Sequence, residues 1–198
     1  MRKSFPVLLL VFSITMALNS CSPQREVRRI DSDEQIDLSG RWNDTDSRMV
    51  AEALTDQVLN GQWLENYTQN HHGARPILIV GLVRNKSHEH INAETFITDI
   101  EKAIIKEGSA RLVQAADRRD ELRAERADQQ DFASSKTAKQ WGQELGADFM
   151  LQGTINSIVD SYRNEKVVNY QVNLELANLE TNEIVWIGDK KIRKYINN

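Results

Sequence analysis

The chain has 198 residues, 40% of them hydrophobic, with 25 Lys+Arg against 29 Asp+Glu, one Cys and three Pro. These counts exclude a disulfide scaffold, a low-complexity or collagen-like chain and a multi-span membrane protein, and leave room for one globular domain with its own core. The net charge of -4, which becomes -6 once Arg2 and Lys3 are set aside, offers no broad electrostatic attraction to nucleic acid or to an anionic bilayer surface.

Arg2 and Lys3 precede a mostly apolar run from Phe5 to Leu18 that ends at Asn19-Ser20. A spanning helix needs roughly 20 apolar residues, so the run has the proportions of an export signal rather than a permanent anchor. Leu18-Asn19-Ser20-Cys21 resembles the lipobox of bacterial lipoproteins, with Asn19 departing from the small residues preferred there. That resemblance implies cleavage before Cys21 and lipid on its thiol and new amine; the alternative is a buried free thiol. At about 0.8 kcal/mol per buried methylene, several acyl chains form an effectively permanent anchor. A lipidated thiol is neither nucleophile nor metal ligand. Ser22 after the cysteine, rather than Asp, resembles the enterobacterial signal for transfer to the outer membrane.

From Ser22 to about Asn43 the chain is polar and charged, the composition of a disordered tether. Such a tether reaches at most about 75 Å extended and roughly 26 Å as a coil. The expected organisation is therefore a signal peptide over 1–20, a lipidated Cys21 with flexible tether over 21–43, and one globular domain over 44–198.

Asn43 or Asp44 caps a predicted helix with the stripe Met49, Val50, Ala53, Leu54 and Val58, closed by Gly61. Asn60 to Gly73 reads as a connection carrying Trp63 and Tyr67. Pro76 opens the continuous apolar run Ile77–Val83, suited to a central strand covered on both faces. Asn92 caps a second helix with Phe96, Ile97, Ile100, Ala103 and Ile104 on one face and Gly108 as its stop. Arg111–Gln114 forms a short strand. Acids and arginines alternate from Asp117 to Asp128 around Leu122, the pattern of a solvated helix. Ser134 or Ser135 caps a further helix through Ala138, Trp141 and Leu145, closed by Gly146. The last fifty residues read as strands: Phe149, Leu151, Gly153 and Ile155 alternate, as do Val168, Tyr170, Val172, Leu174 and Leu176, before a turn at Glu180–Glu183 and a final strand from Ile184. The fold class is α/β of the mixed α+β kind, a mixed β-sheet packed with helices and ending in an antiparallel meander.

The chain carries no Gly-rich phosphate loop, no G-x-S-x-G elbow and no H-E-x-x-H. His71, His72, His88 and His90 are four imidazoles in two pairs, either a transition-metal site with Glu89 or solvated loop residues; spacing alone does not unite the pairs, and solvated loops are the favoured reading. No metal, catalytic residue or cofactor is therefore expected. Lys190, Lys191, Arg193 and Lys194 serve either an acidic partner or, the favoured reading, defence of an edge strand against aggregation. Trp42, Trp63 and Tyr67 form either an exposed recognition surface or core packing.

Asp37–Asp46 leading into a helix, Asn92-Ala93-Glu94-Thr95 before another, Leu145–Gly153 into a strand, and Glu183-Ile184-Val185-Trp186 after the last turn together resemble the LpoB family of penicillin-binding protein activators. The resemblance covers roughly residues 37 to 194. It implies a fold like the N-terminal domain of TolB and an outer-membrane lipoprotein without an active site. The implied partner is a class A penicillin-binding protein, whose glycan polymerisation and crosslinking it stimulates, with membrane contact through the lipid and with neither nucleic acid nor small-molecule substrate. Partner-contacting residues are not indicated. The tether departs from the family's long Pro-rich one, holding only Pro23. The alternative is an envelope secretion or assembly lipoprotein related to the curli channel. That channel needs hairpin strands of about 9 to 11 residues crossing a membrane, whereas Ser161–Glu165 here reads as a tight charged turn without an inserted hairpin.

Overall fold

A computed structural model describes residues 26–31, 34–134, 136–137 and 144–197. The expected signal sequence and Cys21 lie outside these, as does most of the helix expected from Ser134 or Ser135 through Leu145; its described end, Leu145 included, is not helical, and residues 144–147 run without regular structure into the next strand. Two compact units are distinguished, residues 1–34 and 35–198, and every element below belongs to the second.

Among the described residues the chain forms α1 (Asp44–Leu59), α2 (Gln62–Asn70), β1 (Ile77–Lys86), α3 (Ala93–Glu107), β2 (Arg111–Leu112), α4 (Ala116–Phe132), β3 (Phe149–Tyr162), β4 (Glu165–Asn178) and β5 (Ile184–Asn197). The sheet order is β2-β1-β3-β4-β5. β2 and β3 flank β1 in parallel, and β3, β4 and β5 form the antiparallel meander. This is the mixed α+β arrangement expected. No helix of the described residues is long and apolar enough to cross a membrane.

The core lies between one sheet face and α1 with α3. Val50, Ala51, Leu54 and Val58 on α1, and Phe96, Ile100 and Ile104 on α3, recur at helical spacing and are buried against Leu78, Leu151, Ile155, Tyr170, Val172 and Leu174. Asn43 and Asn92 cap the two helices as expected, and Gly108 ends α3 in the left-handed region at φ 81°. Met49, assigned to the α1 stripe, instead lies at its margin, 40% exposed.

The segment read as a connection after Asn60 contains α2. Trp63 and Tyr67, four residues apart, share one face, and Trp63 Nε1–H donates to the Val58 carbonyl (2.6 Å), satisfying a carbonyl that the end of α1 leaves open. In β1, Leu78, Ile79 and Val80 are buried, which fits a strand covered on both faces. A register shift between Val80 and Val83 then places an extra residue opposite β3, so Val83 is buried while Leu82 is 63% exposed, and the double coverage ends there.

The turn after Tyr162 is as tight as expected, with Tyr162 opposite Glu165 and Arg163 at φ 53°. The strands it joins are longer than the alternation of Phe149–Ile155 indicates. β3 and β4 each run 14 residues, and Ile158 and Tyr162 are solvent-exposed. Gly153 allows the close approach of these two strands, since a side chain there would run into the Asn173 carbonyl.

Candidate functional site

The basic cluster at the C-terminus resolves into residues with different duties. β5 alternates, and Lys194 falls opposite Val168 on the face toward the helices. Its side chain is only 9% exposed, and its three donors meet Asp37 Oδ1 (2.6 Å), Asp46 Oδ2 (2.6 Å) and the Arg41 carbonyl (2.9 Å). Lys194 is therefore a clamp and not the edge guard that composition indicated; Lys191 and Arg193 lie on the exposed alternate positions. Burial alone would lower the Lys194 pKa, but its bonds to the two carboxylates outweigh this and raise it. The same ammonium holds the Asp37 carboxyl below its ordinary value.

Asp46 also completes a capping box: Asn43 Oδ1 accepts from the Asp46 N–H (3.0 Å), and Asp46 Oδ2 accepts from the Asn43 N–H (2.9 Å). Trp42 adds a second tie. Its backbone N–H donates to Glu89 Oε2 (3.1 Å), its indole N–H to Ser47 Oγ (2.7 Å), and its ring meets Tyr170 edge-on at 5.5 Å. Tyr170 O–H donates to the other Glu89 oxygen (2.8 Å); burial first, and this bond second, push the phenol pKa well up. The segment from Asp37 to Asn43, read from composition as the end of the tether, is thus fastened to the domain at both of its ends.

A second junction forms at Asp148 of the Gly146-Ala147-Asp148 entry to β3. Its Oδ2 accepts from Tyr67 O–H (2.8 Å) and from the Ile77 N–H (2.7 Å), tying α2 to the starts of β1 and β3. Burial, then the Asp148 bond, push the Tyr67 hydroxyl up to about 12. Trp63 is buried and, with Tyr67, packs edge-on against Phe149. Of the two readings of Trp42, Trp63 and Tyr67, core packing holds.

The histidine pairs lie apart. His71 stacks on Tyr67 at 3.9 Å. His88 Nδ1 lies 2.6 Å from Ser157 Oγ, and its Nε2 lies 3.4 Å from Glu89 Oε1. This line of hydroxyl, imidazole and carboxylate has the outline of a nucleophilic relay that the sequence, in which Ser157 and His88 are 69 positions apart, conceals. Its connections are structural, however. Ser157 Oγ accepts the His88 backbone N–H (2.9 Å), and Glu89 already holds Trp42 and Tyr170. Acyl transfer needs donors aimed at a developing oxyanion, and the N–H that reaches this hydroxyl is committed to the hydroxyl itself.

Among the described residues no helix covers the sheet face opposite α1 and α3. Gln152, Thr154 and Asn156 on β3 and Gln171, Asn173 and Glu175 on β4 alternate with the buried positions and face away from the core.

The family model described as peptidoglycan-synthase activator LpoB matches residues 46–192. The chain is 18% identical to the LpoB C-terminal domain from Salmonella enterica, covering 75% of this chain and 99% of that one at a TM-score of 0.42. For the LpoB C-terminal domain from Escherichia coli the values are 16%, 75%, 99% and 0.39. For lipoprotein GNA1162 from Neisseria meningitidis they are 19%, 63%, 86% and 0.38. No curated protein matches the chain.

Proposed function

The chain belongs to the LpoB family of peptidoglycan-synthase activators, and on that premise we propose that it is a non-catalytic, lipid-anchored regulator that binds a class A penicillin-binding protein and stimulates its polymerisation of glycan. The observation that carries this reading is the family match over residues 46–192, nearly the whole folded unit. Cys21 carries the lipid and fixes the protein to the outer membrane, facing the periplasm, with residues 1–20 removed as a signal peptide. Because Asp37–Asn43 is fastened to the domain, the chain between Cys21 and Asp37 can separate the lipid from the domain by at most about 55 Å. The partner therefore presents its binding surface close to the anchored leaflet. Activation follows if the bound domain favours the synthase's active conformation by its difference in affinity for the two states. A secretion or assembly lipoprotein gains no support from the family match.

The test is glycan-chain synthesis by a purified class A penicillin-binding protein from the same cells, with and without the full-length lipoprotein. A several-fold rise in rate at saturating protein supports the reading; an unchanged rate, with no complex detected between the two proteins, refutes it. Mass spectrometry of the native protein checks the anchor separately: acylated Cys21 at the N-terminus is expected, and residues 1–20 still attached to a bare thiol refute it.

A further inference from the structure

The sheet face opposite α1 and α3 has an arrangement of side chains that activation of a synthase does not call for. In register, one outward row runs Lys86, Asn156, Gln171, Lys191 across β1, β3, β4 and β5, and the next runs Arg84, Thr154, Asn173, Asp189. A third begins at Ile158 and passes Asn169 to Arg193. In the two central rows the middle strands thus present neutral hydrogen-bonding groups, with Arg84, Lys86 and Lys191 on the flanking strands beside one acid, Asp189, while the rows beyond them bring in Glu175 and the exposed Ile187 and Ile158.

The central side chains are already aligned by one another: Gln171 Nε2–H donates to Asn173 Oδ1 (2.9 Å), Asn156 Nδ2–H to Thr154 Oγ1 (3.0 Å), and Gln152 Nε2–H to Glu175 Oε1 (2.8 Å). Each of the three donating carboxamides, Gln171, Asn156 and Gln152, uses one of its two N–H groups in these bonds, and the acceptors are an amide, a hydroxyl and a carboxylate in turn, so donors and lone pairs remain for a ligand. Alternate residues on a strand lie about 7 Å apart and neighbouring strands about 4.8 Å apart, which makes the face a regular grid of polar groups, most of them amides. A protein-docking surface differs at this point, because its centre is apolar and rich in aromatic anchors while its polar groups form the rim. Here the polarity is central. The cationic flanks stand out on a chain whose net charge is -4.

We infer that this face binds a glycan strand bearing N-acetyl groups and carboxylates, the chemistry of peptidoglycan itself. The carboxamides take the ligand's acetamido and hydroxyl groups, and Lys86, Lys191 and Arg193 take its carboxylates. This goes beyond the activator reading and does not depend on it, since sacculi stripped of protein contain no synthase.

The experiment is co-sedimentation of the full-length lipoprotein, in detergent, with purified protein-free sacculi at low and at physiological salt. Retention that weakens with salt is expected, because the flanking charges are exposed. Gln171→Ala/Asn173→Ala removes the central grid and is expected to lower the affinity at least tenfold. Lys191→Glu/Arg193→Glu, on exposed positions that the core does not need, is expected to lower it by a similar factor and decides the matter if the first variant fails to fold. Lys102→Glu, on the exposed side of α3, serves as the control and keeps wild-type binding. Failure of the wild-type protein to sediment overturns the inference, as does full retention of the Lys191→Glu/Arg193→Glu variant. If that variant keeps its sacculus binding while losing stimulation of the synthase, the face docks a protein and the glycan assignment is wrong.

Discussion

Replacing Lys194 by Met tests the fastening of the N-terminal segment to the domain. Met keeps most of the aliphatic stem and removes the ammonium, leaving Asp46, 5% exposed, and Asp37, 43% exposed, without their shared cation. Removing one member of a buried pair costs about 3–5 kcal/mol because the other charge stays buried. The loss here is reduced by the Asn43 N–H that still bonds Asp46 Oδ2, and the half-exposed Asp37 adds no more than about 1 kcal/mol. The expected destabilisation is about 3 kcal/mol, read as a lower urea midpoint at unchanged slope. A double-mutant cycle should assign most of the coupling to Lys194–Asp46 and less to Lys194–Asp37. Amide exchange should accelerate from Asp37 to Asn43 more than in the sheet. A loss under about 0.5 kcal/mol, the value expected of an exposed edge lysine, or unchanged exchange in that segment, would refute the assignment of Lys194 as a clamp.

Other outcomes follow from the same geometry. Asp148→Ala leaves the Ile77 N–H and the Tyr67 hydroxyl without their acceptor and should cost about 2–3 kcal/mol in chemical denaturation. In the same variant, ultraviolet titration of Tyr67 should fall from about 12 toward its ordinary 10.0 without reaching it, since burial remains the larger cause. Gly108→Ala should cost about 1 kcal/mol from the positive φ alone, because nothing lies within 4 Å of the added methyl group. The clamp should also weaken at both extremes of pH. Lys194 is raised above its ordinary 10.5, so its contribution is fully present below that value and disappears as pH rises through the folded-state value. Asp37 is lowered below its ordinary 3.8, so its contribution is present above 3.8 and disappears as pH falls through the folded-state value. Denaturation midpoints measured across pH should therefore converge with those of Lys194→Met at the alkaline limit, while on the acid side the difference shrinks only by the smaller Asp37 share.

What the sequence by itself determined lies within a few residues of each signal. Asn43 and Asn92 as caps, Gly108 as a stop, the stripe Phe96–Ile100–Ile104 and the alternation from Val168 to Leu176 all depend on helical or strand periodicity, which neighbouring residues write into one segment. The motifs around Asp37, Asn92, Gly146 and Glu183 also disclosed the family, because their order along the chain is itself the signal. α2 escaped because nine residues carry too few apolar repeats after a glycine to outweigh the look of a loop. The duties of Lys194, Glu89 and Asp148 were beyond local reading altogether. Lys194 and Asp37 are 157 residues apart, Glu89 and Tyr170 81, and Tyr67 and Asp148 81. Only the register of β4 with β5 turns Lys194 toward α1 while Lys191 and Arg193 face outward, and a slip of one residue would exchange those roles. A charge in a sequence states its sign; whether it clamps the core or meets a ligand is decided by the face of the sheet onto which tertiary pairing turns it.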